Sequence, residues 1–220
     1  MFFKDKSQVY RSGGLASFAW LEHGFGTRHS VDWPDPWRLV MLKQIHSDTV
    51  IRVDEARGYV GEGDALETNR PGLLIGVRTA DCVPILVADP EHRAVGAIHA
   101  GWKGTSAGIA ANTVRKLQNE YDSDPAQLYA AIGPAIGGCC YEVGPEVLDR
   151  FRDLFPELPG DGKANLDLVE ANRRILLAAG LDASHLFAGA PCTKCNSLEL
   201  HSYRSDGPKA GRMIAAIGVL

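Results

Sequence analysis

No run in this chain approaches the roughly 18 apolar residues that a membrane span requires. The opening residues, MFFKDKSQVY, hold no apolar core of signal-peptide length. A soluble, cytoplasmic protein is therefore expected. A long basic run is also missing and the formal net charge is -4, which argues against nucleic acid or membrane lipid as a partner and favours small molecules. Neither Gly101-Trp102-Lys103-Gly104 nor the stretch from Ile132 to Gly138 matches a GxGxxG or P-loop phosphate fingerprint. Repeats, low-complexity tracts and linker-like composition shifts are absent, so one domain over residues 1–220 is expected. The sequence says nothing about oligomeric state.

An even cysteine count is lacking too. Five cysteines, two of them adjacent, make a poor disulfide framework and suit a reduced compartment. Cys192-Thr193-Lys194-Cys195 is a lone CxxC: only Cys139-Cys140 offers it a second pair, at an awkward spacing for a zinc knuckle. A redox pair belongs at the start of a helix after an early strand, which this motif does not match. These four cysteines are expected to be buried or loop residues.

What is present is ample apolar material, 45 % of the chain, in short β-branched runs. Residues 72–79, 83–88, 94–99, 128–133, 185–190 and 213–220 read as buried strands. Helical spacing appears over 105–120 and over 145–155, the latter opened by Gly144-Pro145. A third helix is capped by Asp167, with Glu170 three residues on and Gly180 past its end. The Pro-, Gly- and Asp-rich stretches 26–38 and 156–165 read as loops.

Polar residues interrupt this apolar frame at a few points. His99 ends a strand-like run just before a glycine-flanked turn, His46 breaks an apolar context, and Cys82 follows Asp81 between two buried runs. Asp81 is a charge that a core position would not tolerate unpaired, so the dipeptide marks the rim of a site. Two imidazoles and a thiolate suit zinc, leaving a fourth position for water or substrate. Spacing alone leaves their convergence open, because positions 46, 82 and 99 are far apart. Lys103 and the N–H groups near Thr105 would make an anion site beside His99.

In order and spacing, QIHSDTV, GDALETNRPG, TADCVPIL, HAGWKG, IGPAIGGCCYEVG, CTKC and SYRSDGPKAGRM resemble the motifs of the YfiH-type laccase-domain family. The resemblance runs from about His23 to the C-terminus. It implies an α+β fold, a mixed β-sandwich-like core flanked by helices. It further implies a metal, usually zinc with copper possible, on His46, Cys82 and His99. Similar proteins are regarded as purine nucleoside phosphorylases acting on adenosine, inosine and methylthioadenosine, with adenosine deaminase side activity. The resemblance and the chemistry together nominate Cys82, His99 and Asp81 as catalytic, and Arg28, Lys103 and Arg204 as phosphate contacts. Trp102, Phe25 and Tyr203 are candidates for stacking on the base.

Polyphenol oxidation through copper, the source of the family name, is an alternative. A multicopper cluster needs many paired imidazoles, whereas this chain has seven histidines and no His-x-His. A second alternative is a cysteine hydrolase or deamidase using a Cys82-His99 pair, as in toxins that share the fold. A third is a non-catalytic binding protein. The stretch after Arg28, HSVDWPDPWRLVML, is shorter than the family's usual loop, which bears on contacts from the N-terminal segment.

Overall fold

The computed structural model describes residues 1–55 and 58–220. The chain opens with β1 (Phe2–Lys4), β2 (Tyr10–Ser12) and β3 (Leu21–Phe25). Next come β4 (Leu39–Lys43), β5 (Val50–Arg52), β6 (Gly58–Glu62) and β7 (Ala65–Thr68). Three longer strands follow, β8 (Leu74–Thr79), β9 (Val83–Asp89) and β10 (Ala94–Ala100). The second half holds α1 (Trp102–Ser106), α2 (Ile109–Tyr121), β11 (Tyr129–Ile132), β12 (Glu142–Val143) and α3 (Pro145–Leu148). It ends with β13 (Ala164–Asn165), α4 (Leu168–Ala178), β14 (Leu186–Phe187), α5 (Tyr203–Asp206) and β15 (Met213–Val219).

Two mixed sheets form a sandwich. One runs β1-β2-β3-β15-β8-β4-β6 and the other β14-β11-β9-β10-β7-β5. Between them pack Phe25, Val40, Ile75, Val77, Ala215 and Ile217 from the first sheet against Leu66, Leu86, Ala88, Val95 and Ala97 from the second. The other face of the second sheet, with Val83, Ile85, Val87 and Ile98, is covered by α2 and α4 through Val114, Leu117, Ala171 and Leu176. Strands β9 and β10 are thus buried on both faces, which is why VPILVA and AVGAIH read as continuous apolar runs rather than alternating ones. The architecture is the expected helix-flanked sandwich.

Several boundaries differ from the sequence reading. The helical segment 105–120 is two helices, because Gly108 at φ 82° turns the chain between α1 and α2. The segment 145–155 is only one α-helical turn, α3, followed by a 3-10 turn over Asp149–Phe151, and Pro156 lies just beyond. The run 185–190 shrinks to β14. The third helix is as predicted: the Asp167 carboxylate accepts the Glu170 N–H at 2.9 Å, and Gly180 sits at φ 103° after its end.

Candidate metal centre and its cavity

Sheet register brings the site together. Antiparallel β7 and β10 pair Ala65 with Ile98, so Asp64 and His99 stand opposite each other one step further along. His99 donates its backbone N–H to the Asp64 carbonyl at 2.8 Å, and its Nδ1 lies 2.8 Å from the Asp64 carboxylate. That carboxylate also gathers the N–H groups of Ile45, His46 and Ser47 at 3.3, 3.0 and 2.6 Å, together with the Ser47 hydroxyl at 2.8 Å. Successive N–H groups can converge in this way because His46 takes a left-handed conformation, φ 60°. A single buried carboxylate therefore positions both histidines. Sequence reasoning missed Asp64; its signal was an aspartate directly before the apolar start of GDALETNRPG.

Cys82 enters from the turn between β8 and β9. The residue before it, Asp81, is again left-handed at φ 91°. Asp81 is not a free base: one oxygen accepts the Thr193 hydroxyl at 2.6 Å and the other the Arg204 backbone N–H at 2.6 Å. Through these two bonds Asp81 ties α5 and the 193 loop to the Cys82 turn.

One donor atom each of His46, Cys82 and His99 lies within 4.8 Å of the other two. The rings of His46 and His99 stand edge to face, centroids 5.0 Å apart. Gly101 makes room for this, since a Cβ there would fall 3.1 Å from Cys82 Sγ and 3.2 Å from the His46 ring. Gly104 has the same use one turn on, where a Cβ would meet the Ser47 carbonyl at 3.0 Å.

Electrostatics follow from these contacts. Burial pushes the Cys82 thiol up, but hydrogen bonds from His46 and His99 outweigh it and bring it down to about 6. Burial would lower His99, yet Asp64 and the Cys82 sulfur raise it to about 9. Burial opposes ionisation of Asp64, but His99 and Ser47 hold it at about 2. Two nitrogens and a thiolate-prone sulfur, with the ring of His99 oriented from behind by a carboxylate, are a donor set that could hold a metal ion and leave a position open.

The triad forms part of the wall of a cavity of about 760 Å³, a size suited to a small-molecule ligand. Arg78, Arg204 and Arg212 line it, as do Trp102, Tyr141 and Tyr203. Arg204 lies over the Tyr141 ring at 5.1 Å and donates to the Glu142 carbonyl at 2.9 Å. Gln44, two residues before His46, clasps the Arg78 backbone through both ends of its amide, at 2.9 and 2.8 Å.

Other nominated residues lie elsewhere. Arg28 is not in the lining; it pairs with Asp206 and donates to the Leu200 carbonyl at 2.9 Å. Lys103 sits with its Nζ 5.6 Å from the Trp102 ring centroid, also outside the lining. Phe25 is packed in the sandwich core. Arg78, Arg212 and Tyr141 line the cavity instead; Tyr141 and Arg212 stand within IGPAIGGCCYEVG and SYRSDGPKAGRM, but only the fold shows that they face the same cavity as the triad.

Residues 28–220 match the sequence profile of the family described as multi-copper polyphenol oxidoreductase laccase. The chain belongs to this laccase-domain family. It is 40 % identical over 197 residues to purine nucleoside phosphorylase YlmD of Geobacillus stearothermophilus, covering 82 % of this chain and 72 % of that one. Adenosine deaminase RL5, from an unknown prokaryotic organism, is 36 % identical over 195 residues, covering 81 % and 74 %. The solved structure of Bacillus licheniformis hypothetical protein YfiH superposes with a TM-score of 0.90 at 30 % identity, covering 100 % of this chain and 99 % of that one.

The laccase-domain chain does not gather its histidines into a larger cluster among the described residues. His23 accepts the Ser12 N–H, His92 pairs with Asp89, His185 bonds the Ala126 carbonyl, and His29 bonds the Leu198 carbonyl. The second group of potential metal donors is made of thiols. Cys139, Cys140, Cys192 and Cys195 lie on loops, within the expectation of buried or loop cysteines, but their sulfurs converge.

Proposed function

We propose that this protein is a zinc-dependent purine nucleoside phosphorylase, acting on adenosine, inosine and methylthioadenosine, with adenosine deamination as a side activity. The observation that carries the reading is one cavity that combines the His46–Cys82–His99 donor set with three guanidinium groups and three aromatic rings. Phosphate needs the cations, the base needs the flat faces, and the similarity to named phosphorylases and a deaminase agrees with both. When bound by the triad, zinc supplies Lewis acidity at neutral pH, the chemistry that attack on a purine ring carbon requires.

The chain's own groups account for the rest. In phosphorolysis a phosphate oxygen bonds to ribose C1′ while the C1′–N9 bond breaks and the purine leaves with the electron pair. Arg204, with Arg78 and Arg212, holds the phosphate against the cationic sugar that develops. In this reading those two take the place of Arg28 and Lys103. Tyr141 lies at the cavity wall with its hydroxyl pushed up to about 12, chiefly by burial and then by the Cys82 charge. Its Oη therefore keeps its proton at neutral pH and serves as a donor to a purine or ribose acceptor. Trp102 and Tyr203 offer faces to the base.

A second reading rests on a specific geometry: Cys82, His99 and Asp64 are linked as thiol, imidazole and carboxylate, the order used by cysteine hydrolases. Against it stands His46, a second imidazole on the same sulfur that a hydrolase does not need. Zinc-loaded protein is incubated with inosine, with and without phosphate, and hypoxanthine and ribose 1-phosphate are separated by chromatography. Phosphate-dependent release that is lost in Cys82→Ala supports the proposal. No release from inosine, adenosine or methylthioadenosine overturns it, and iodoacetamide inactivation undiminished by zinc transfers the case to the hydrolase.

A further inference from the structure

The four cysteines outside the catalytic centre come from two loops. Cys139 and Cys140 lie on the turn between β11 and β12, while Cys192 and Cys195 lie on the loop between β14 and α5. Adjacent cysteines point apart in an extended strand, but here the chain turns tightly: the N–H groups of Cys140 and Tyr141 both donate to the Gly137 carbonyl, at 2.9 and 3.1 Å. The second loop is fastened to the first by the Thr193 N–H on the Ala135 carbonyl at 2.9 Å.

The resulting sulfur geometry is specific. All four Sγ atoms lie within 4.8 Å of one another. The separations are 3.7 Å for Cys139–Cys140, 3.7 Å for Cys139–Cys195 and 3.4 Å for Cys140–Cys195. A zinc–sulfur bond of about 2.3 Å in a tetrahedron sets the sulfurs about 3.8 Å apart. Disulfide sulfurs would lie about 2 Å apart.

Hydrophobic packing does not account for the convergence, because Cys139 and Cys195 are exposed and unpaired thiols otherwise favour the interior. The Cys192 Sγ accepts the Gly137 N–H at 3.2 Å, which holds it toward the other three sulfurs. The close approach needs Gly137, where a Cβ would sit 3.3 Å from Cys139 Sγ and 3.4 Å from Cys192 Cβ.

We propose that Cys139, Cys140, Cys192 and Cys195 form a second metal site, a closed tetrathiolate that binds zinc and clamps the 133–142 loop to the 188–196 loop. All four tetrahedral positions are filled by protein, so the site is structural. Its consequence for the cavity is direct. Tyr141 follows Cys140, and Thr193, between Cys192 and Cys195, holds Asp81, which in turn holds the Arg204 N–H. The clamp sets the cavity wall that faces His46, Cys82 and His99.

The test is zinc per chain by elemental analysis, on reduced protein supplied with zinc and freed of excess by gel filtration. Two equivalents are expected in the wild type. Cys192→Ser/Cys195→Ser should lose one, and Cys82→Ala should lose the other. A second measurement leaves the cluster intact: Cys82→Ala loaded with cobalt should show the intense visible and near-ultraviolet bands of a tetrahedral tetrathiolate, with its other cysteines protected from thiol reagent until a chelator is added. A single wild-type equivalent unaffected by Cys195→Ser overturns the proposal. So does Cys82→Ala that binds no cobalt, or an intact mass showing these cysteines joined as disulfides under reducing conditions. The count does not depend on phosphorolysis, so failure of the phosphorylase reading leaves it unchanged and the converse holds.

Discussion

The two cysteine-containing centres of this molecule are built in opposite ways. At His46–Cys82–His99 the donors come from three separated segments, one histidine is buried, and a buried carboxylate holds the His99 ring from behind and the backbone N–H of His46. At Cys139–Cys140–Cys192–Cys195 the donors come as two short-range pairs on two loops, and a backbone N–H rather than a carboxylate supports the Cys192 sulfur. The first set leaves a coordination position open toward a cavity lined with arginine and aromatic side chains; the second has four donors and none to spare. Three donors beside a cavity suit chemistry, and four donors between loops suit a clamp.

The sharpest way to break this contrast is to remove one donor from the open centre. His99→Ala should lose one metal equivalent and lower nucleoside phosphorolysis roughly 10³-fold, measured by base release, while the four thiols stay protected. Retained metal and activity would show the two centres to be wrongly divided. Next in size is the backing carboxylate. Asp64→Asn keeps the shape but removes the charge behind His99 and the anion that gathers the 45–47 turn; zinc affinity at this centre should fall about 10- to 100-fold in a chelator competition. The same competition should leave the tetrathiolate unmoved.

The anion-binding wall ranks below these. Arg204→Ala should raise the KM for phosphate about tenfold, the worth of one charge-assisted hydrogen bond, with a smaller change in the KM for nucleoside. Equal changes in both would point to collapse of the Tyr141 wall rather than a phosphate contact.

The smallest effect concerns stability and compares two buried histidines. His99 faces a carboxylate and is raised, whereas burial and the Arg11 guanidinium lower His23 to about 4. His23 is therefore neutral when folded, yet titrates near 6.5 once unfolded. The unfolded chain binds the extra proton between those values, so stability present above pH 6.5 is lost progressively as pH falls toward 4, by up to about 3 kcal/mol. Denaturation across that range should show the slope, and His23→Gln should flatten it. Metal-free His99 has the opposite sign: its share is full below 6.5 and fades as pH rises through about 9.

Legibility followed how local the signal was. Strands β8, β9, β10 and β15 announced themselves as unbroken apolar runs because they are buried on both sides or pass through the middle of a sheet. The opening strands β1 to β3 are short and part-polar, and escaped notice. Of the site, the residue types at 46, 82 and 99 stood out against their apolar surroundings. Asp64 did not, because its use depends on a pairing with β10 that lies 35 positions away. Arg28 and Arg204 looked alike in the chain, yet Asp206 takes the first while the second lines the cavity.

The sequence by itself determined the alternating supply of apolar runs and turns, the capping of α4, and the presence of imidazoles and thiols at the ends of those runs. Those are properties of neighbours along the chain. Only the tertiary structure decided which donors meet, since sheet register sets His99 against Asp64 and loop pairing sets Cys192 and Cys195 against Cys139 and Cys140. Both contacts join segments separated by tens of residues, and no local pattern fixes a distance across such a gap until the intervening chain has packed.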